Sequence, residues 1–260
     1  MLFKIGDLVT RESHNNDTLF KIIEIDKNIA YLKGVDIRLY ADSDINDLVM
    51  AGKKDNGEDE EFARSIETVK DLDRSKYFYL PGKILHIDGD NDYLNRCMNF
   101  YKRLKVMAYG LKLKEIEISS SIRKYLEDLN PDIVVITGHD AYYKKSKKVE
   151  DLENYKNSDN FINAIKEARD YEKSQDKLII IAGACQSDYE ELIRAGANFA
   201  SSPKRVNIHA LDPAIIASSI ALSDKNKSID LIEIINKTKY KEEGIGGIIT
   251  NGTMYVGYPR

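Results

Sequence analysis

The 260 residues carry 39 basic and 43 acidic side chains, a formal net charge of −4, and 42% hydrophobic residues. That length and apolar share support one large domain, or a domain with a small module, around a substantial core. The mild negative charge gives no electrostatic case for a nucleic-acid partner, two cysteines exclude a disulfide framework and fit a reducing compartment, and no apolar run is long enough to span a bilayer.

The opening Met-Leu-Phe-Lys-Ile-Gly-Asp lacks the apolar centre of a signal peptide, so the expected location is the cytoplasm. Residues 1–50 hold short β-like runs: Gly6–Thr10, Leu19–Ile25, Ile29–Lys33 and Ile37–Tyr40, divided by turn-rich pieces such as His14-Asn-Asn-Asp17. Strands this short and close predict a small SH3-like or Tudor-like β-barrel. Residues 51–76 change character. The highly charged Ala51–Glu61 reads as a linker, followed by a short helix over Phe62–Leu72.

From residue 77 to 260, strands and helices alternate. Gly82–Asp88 reads as a strand, Tyr93–Leu104 as an amphipathic helix, Val106–Tyr109 as the start of a strand, and Ser119–Leu129 as a helix closed by Asn130-Pro131. Pro131–Thr137 is a strand, 141–156 a polar loop rich in Lys and Tyr, Asp159–Lys173 a helix, and Leu178–Ala182 a continuous apolar strand. A helix from Asp188, ended by Gly196, follows, then a short strand over Asn198–Ser202 and helices over Asp212–Ala221 and Ile229–Lys237. Asp212 caps the first of these helices, with Pro213 at its first helical position. Gly246–Gly257 reads as a hairpin turning at Asn251-Gly252. The alternation predicts an α/β domain with a mainly parallel sheet and helices on both faces.

In such sheets ligands bind outside the carboxyl ends of the strands. Two strands deliver chemistry there: Pro131-Asp-Ile-Val-Val-Ile-Thr-Gly-His-Asp140 carries His139, and Leu178-Ile-Ile-Ile-Ala-Gly-Ala-Cys-Gln-Ser187 carries Cys185, 46 positions downstream. A thiol needs a base or a positive setting to act as a thiolate near neutral pH, and the following helix N-terminus is expected to favour it. His139 can take the thiol proton and return it to a leaving amine. Backbone amides near Gly138 and Asp140, with those at Gly183 to Cys185, are candidate oxyanion donors.

Cys97, within a helix, reads as core, and His86, inside a strand, as packing. His209 lies in the polar loop Ser201–Asp212 and is the second choice for the base. With Gln186, Ser201, Ser202 and Arg205 it is a candidate substrate-binding residue. Asp88, Asp90, Asp140 and Asp212 could receive a basic side chain through paired hydrogen bonds. No tight His/Cys spacing supports a metal, and no cofactor is expected. The competing reading is a non-catalytic binding module at the same sheet edge, though no Gly-rich phosphate loop follows any strand.

The His139 and Cys185 blocks resemble those of caspase-like (clan CD) cysteine peptidases, in which a histidine lies about 50 residues upstream of an Ala-Cys motif. Here Gly138 precedes the histidine, and Gly183-Ala-Cys-Gln-Ser187 stands where caspases have Gln-Ala-Cys-x-Gly, so a pocket for acidic residues is not expected. Nearly the whole chain resembles the YabG family of sporulation-specific proteases. The likeness lies in Phe3–Asp7, Ile37–Asp44, Pro81–Asp90, Val135–Tyr142, Ala182–Ser187 and Ile193–Pro213. That resemblance implies cleavage of spore-coat and cortex-related proteins after arginine, with Cys185 as nucleophile and His139 as base, in the mother-cell cytoplasm of a sporulating bacterium or in the coat. A coat-docking role is compatible with it. Arginine specificity would also expose Arg64-Ser65 and Arg74-Ser75 to self-cleavage.

Overall fold

A computed structural model describes residues 3–52, 57–66, 75–143 and 152–259. The chain divides into two compact units between Glu58 and Asp59.

The first unit is an antiparallel sheet of β1 (Leu8–Arg11), β2 (Phe20–Asp26), β3 (Ile29–Gly34), β4 (Tyr40–Asp44) and β5 (Leu48–Met50), in the order β4-β3-β2-β1-β5. Apolar residues alternate with exposed ones along the start of β2, as a sheet with one covered face requires. Val9, Phe20, Ile22, Ala30, Leu32 and Leu48 form its core. The strand expected at Ile37–Tyr40 instead starts at Tyr40. The Gly34 N–H to Leu39 O bond (2.6 Å) folds residues 34–39 into a turn and delays the extended backbone.

The helix α1 (Gly57–Ile66), whose residues from Asp59 on belong to the second unit, starts five residues earlier than the sequence suggests. Glu58, Asp59, Glu60 and Glu61 fill its first turns, where negative charge favours a helix N-terminus. Ala63 and Ile66 face the core. The remainder of the expected helix, 67–72, lies outside the described residues, as do 144–151 of the expected polar loop.

In the second unit the strands are β6 (Phe78–Leu80), β7 (Ile84–Asp88), β8 (Ala108–Lys112), β9 (Ile133–Thr137), β10 (Ile179–Ala182), β11 (Phe199–Ser201), β12 (Ile245–Gly247) and β13 (Tyr255–Gly257). The helices are α2 (Asn91–Arg103), α3 (Glu115–Leu129), α4 (Ser158–Tyr171), α5 (Tyr189–Arg194), α6 (Asp212–Ala221), α7 (Leu231–Asn236) and α8 (Lys241–Gly244). The main sheet runs β12-β11-β10-β9-β7-β8; its strands are parallel except β12, which is antiparallel to β11. Every residue of β7, β9, β10 and β11 is buried, because helices cover both faces. Ile84, Ile133, Val135, Ile179, Ile181 and Phe199 pack with α2 and α6 on one face. The alternate residues Leu85, Ile87, Val134, Ile136, Ile180 and Ala200 pack with α3, α4 and α5 on the other.

The hairpin expected over 246–257 does not form. Its first arm, β12, pairs with β11, and its second, β13, pairs with β6. The Gly252 N–H donates to Lys227 O rather than closing a two-residue turn. Each arm finds a partner strand elsewhere in the unit.

Counted along the chain from β7, the parallel strands lie in the order 2-1-3-4-5. Connections therefore run outward in opposite senses from β7 and β9, and the switch point lies between them. The register pairs Asp88 with Thr137, so the residues just beyond, 89–90 and 138–140, form the two lips of the crevice.

Candidate functional site

At the crevice an aspartate holds a histidine. Asp90 caps α2: its Oδ1 accepts the N–H groups of Asp92 (2.9 Å) and Tyr93 (3.3 Å). Its Oδ2 lies 3.2 Å from His139 Nε2, with the Tyr93 ring 5.7 Å from the imidazole. Both partners are mostly shielded, with side chains 7% and 12% exposed. A carboxylate on Nε2 takes the ring's proton-bearing nitrogen and leaves Nδ1 as the basic one.

Behind this pair runs a buried polar chain. Asp88 Oδ1 accepts the Asp90 N–H (2.9 Å) and its Oδ2 accepts the Thr137 hydroxyl (2.8 Å). His86 bridges Thr137 Oγ1 (3.1 Å) and Tyr101 Oη (2.8 Å). All four side chains are inaccessible to solvent, so Asp88 holds the Asp90 loop from beneath.

Cys185 leaves the neighbouring strand. Gly183 (φ +105°) turns the chain; a Cβ there would meet Leu192 Cδ1 at 2.8 Å and Ser201 Cβ at 3.2 Å. The Gly183 N–H donates to Ile136 O in the sheet, and the Ala184 N–H to Ser187 Oγ. Cys185 is 1% exposed, and its sulfur accepts the Ile208 N–H at 3.2 Å. The helix expected from Asp188 starts at Tyr189, with Asp188 capping it by accepting the Glu191 N–H. The Ile208 amide donates to the sulfur, while the helix N-terminus lies at Tyr189, four residues on.

Three non-glycine residues around this loop adopt left-handed backbone: Gln186, Ser202 and Arg205. Each costs about 1 kcal/mol or more, and such conformations cluster at functional sites. They are held by hydrogen bonds. The Gln186 N–H donates to Val206 O and Ser202 Oγ, Gln186 Oε1 accepts the Tyr142 N–H, and Ser202 Oγ donates to Val206 O. Arg205 donates to Tyr155 Oη (2.8 Å) and stacks over Tyr142 at 5.4 Å, and the tyrosine bond keeps its guanidinium more firmly protonated than usual. The loops after β9, β10 and β11 are thus tied into one layer.

Ser201 lies buried beside Gly183 with no partner for its hydroxyl among the described residues. His209 is 1% exposed. Its Nδ1 accepts the Leu211 N–H, its ring lies 5.4 Å from Phe62, and its backbone N–H donates to Asp212 Oδ2. The other Asp212 oxygen accepts the Lys239 N–H.

Asp140 is a knot between loops. Its carboxylate accepts from the N–H groups of Ala141 (2.9 Å) and Asn157 (2.7 Å) and the hydroxyls of Ser158 (2.5 Å) and Ser187 (3.0 Å). Burial nevertheless pushes its pKa up, the four donors offsetting that only in part. The folded state therefore holds the proton more tightly than the unfolded one. The contribution of Asp140 to stability is lost as pH rises from the ordinary value of 3.8 through the raised one. Urea unfolding between about pH 4 and pH 7 should show the wild type losing stability relative to Asp140→Asn as pH rises; a gain would contradict the assignment.

One residue at the crevice carried no signal in the sequence. Glu115, at the start of α3, lays its carboxylate across Gly89 and Gly138: a Cβ at either would stand 2.3 or 2.4 Å from Oε1. That oxygen accepts the His139 N–H at 2.9 Å. A first-turn glutamate usually serves its own helix, and only the fold brings it to two glycines just past the ends of β7 and β9.

Fold and site together define a doubly wound α/β protein whose titratable groups converge at the switch point of its sheet. Residues 4–259 match the family model described as YabG peptidase U57. The chain is 43% identical, over 291 residues, to the sporulation-specific protease YabG of Bacillus subtilis (strain 168), covering 100% of this chain and 99% of that protein. It belongs to the YabG peptidase U57 family and is a sporulation-associated peptidase, a hydrolase of peptide bonds. A crystal structure of a cobalamin-binding protein from Desulfitobacterium hafniense DCB-2 aligns with a TM-score of 0.35 and 18% identity over 52% of this chain and 57% of that one, a likeness that carries no argument. Among the described residues no helix is long and apolar enough to cross a membrane.

Proposed function

We propose that the chain is a cysteine endopeptidase that cuts after arginine, with Cys185 as nucleophile, His139 as general base and acid, and Asp90 orienting the imidazole. The carrying observation is the His139–Asp90 pair, with His139 just past β9 and Cys185 in the loop after the neighbouring β10: Ala182 pairs with Ile136, so Cys185 and His139 each lie three residues beyond paired positions. His139 takes the thiol proton as sulfur bonds to the scissile carbonyl carbon. Gly138 and Asp140 supply oxyanion donors with the Cys185 amide; the Gly138 and Asp140 N–H groups meet no acceptor among the described residues. Collapse breaks the C–N bond, and His139 passes its proton to the leaving amine. Water, deprotonated by His139, then cleaves the thioester, releasing the acid and restoring the thiol. None of these steps requires a cofactor.

The Ile208 segment covers the sulfur, so substrate entry displaces it. Gln186, Ser201, Ser202, Arg205, His209 and Asp212 shape or fasten the loops that border this entry. The sheet order, with one antiparallel edge strand, fits the caspase-like reading, and five short antiparallel strands around a small core support an SH3-like docking module. Family membership supports spore-coat and cortex-related proteins as the substrates of this reading, with the mother-cell cytoplasm or the coat as the place of action. Self-cleavage after Arg64 requires α1 to unwind, since that bond lies within the helix; Arg74 lies outside the described residues. N-terminal sequencing of incubated protein that finds both Arg-Ser bonds intact, while a substrate is cut, would contradict self-cleavage.

Fluorogenic peptides with arginine, lysine or aspartate at the position before the scissile bond test the specificity. Arginine peptides should be hydrolysed and aspartate peptides spared; a preference for aspartate would overturn it.

A further inference from the structure

Cleavage after a basic residue needs a carboxylate that faces substrate and is not already committed. Most acids at the carboxyl edge of the sheet are engaged within the protein. Both oxygens of Asp88 accept hydrogen bonds, from the Asp90 amide and Thr137. Both oxygens of Asp90 are engaged too, by the start of α2 and by His139. Asp140 accepts from four donors, and Asp212 joins the His209 and Lys239 amides.

Glu115 differs. Its Oε1 is fixed by the His139 N–H, while its Oε2 accepts no hydrogen bond and joins no ion pair among the described residues. It is part-exposed, where the aspartates just named are buried. Its carboxylate rests on the bare α-carbons of Gly89 and Gly138, where side chains would push it away. It lies at the lip formed by β7 and β9, one strand from β10, whose following loop carries Cys185, a step of about 5 Å. A long basic side chain can bridge that step while its carbonyl reaches the sulfur.

We infer that Glu115 determines specificity by receiving the guanidinium or ammonium group of the residue on the acyl side of the scissile bond. This rests on the peptidase reading of Cys185 and His139. One Glu115 oxygen holds the carboxylate in register with the catalytic histidine's backbone, and the other binds the cation.

The test compares two peptides that differ only in arginine or citrulline before the scissile bond, the same shape with and without charge. Glu115→Gln keeps an oxygen for the His139 amide and removes the negative charge. The ratio of kcat/KM for arginine over citrulline should fall about 10- to 100-fold in that variant, the size expected for one charge-assisted pair. Glu115→Asp, which keeps the charge, should retain more of the ratio. An unchanged ratio in Glu115→Gln, including equal losses on both peptides, overturns the inference while Cys185-dependent cleavage after arginine leaves the peptidase reading standing. Failure of the wild type to cut the arginine peptide at all removes that reading, and the inference with it.

Discussion

Replacing Cys185 with alanine is expected to lower peptide hydrolysis by about 10⁴-fold or more while the protein stays folded. The thiolate is the attacking atom in the proposed chemistry, and removing a nucleophile takes away a covalent step that no neighbour supplies. The structural cost is small by comparison. The sulfur accepts the Ile208 N–H, and leaving that N–H unmet costs about 1–3 kcal/mol. Cys97 serves as the comparison. It sits in the core on α2, with its thiol donating to Ala210 O at 3.4 Å. Cys97→Ala should retain most activity. Thermal unfolding of both variants separates loss of chemistry from loss of fold. Full activity in Cys185→Ala would remove this residue as nucleophile.

The largest stability effect is expected at Arg169, far from the chemistry. This side chain is 9% exposed at the end of α4, and burial pulls its pKa down to about 10. It donates to the carbonyls of Gly196 (2.8 Å), Glu172 (3.3 Å), Ser174 (3.2 Å) and Leu178 (2.8 Å), and to Asn198 Oδ1 (2.6 Å). Those acceptors belong to the end of α4, the entry to β10 and the turn between α5 and β11. One guanidinium therefore closes a joint whose carbonyls are shut off from water. Arg169→Met fills much of the volume but strands the acceptors, and should cost about 3–5 kcal/mol in urea unfolding. A loss under about 1 kcal/mol would mean that water replaces the arginine at this joint.

How much of this is legible in the sequence depends on what each feature rests on. The strands ending at Asp88, Thr137 and Ala182 announce themselves as unbroken apolar runs, because strands covered on both faces need no alternation. The helix over Asp212–Ala221 is legible from Pro213 and from the loss of apolar residues after Leu222, but Asp212 is not its cap: Leu211 takes that place, Asp212 is already helical, and its carboxylate is drawn to the His209 and Lys239 N–H groups instead. Features set by pairing between distant segments are not. Nothing near Asp90 marks it, over Asp88, as the partner of His139. The parallel register and the N-cap geometry decide that. The arms of the expected hairpin are extended as expected, but their partners lie in other parts of the chain. Glu115 is hidden for the same reason: its meaning comes from two glycines just beyond the ends of neighbouring strands.

The measurement that tests the central claim most directly is the site of covalent attachment of an arginine peptide carrying a chloromethyl ketone. Mass spectrometry of the inactivated enzyme should place one label on Cys185. Attachment should slow in Asp90→Asn, where the imidazole loses its orienting charge. A label on Cys97 or another residue, or complete inactivation with Cys185 unmodified, would contradict the account.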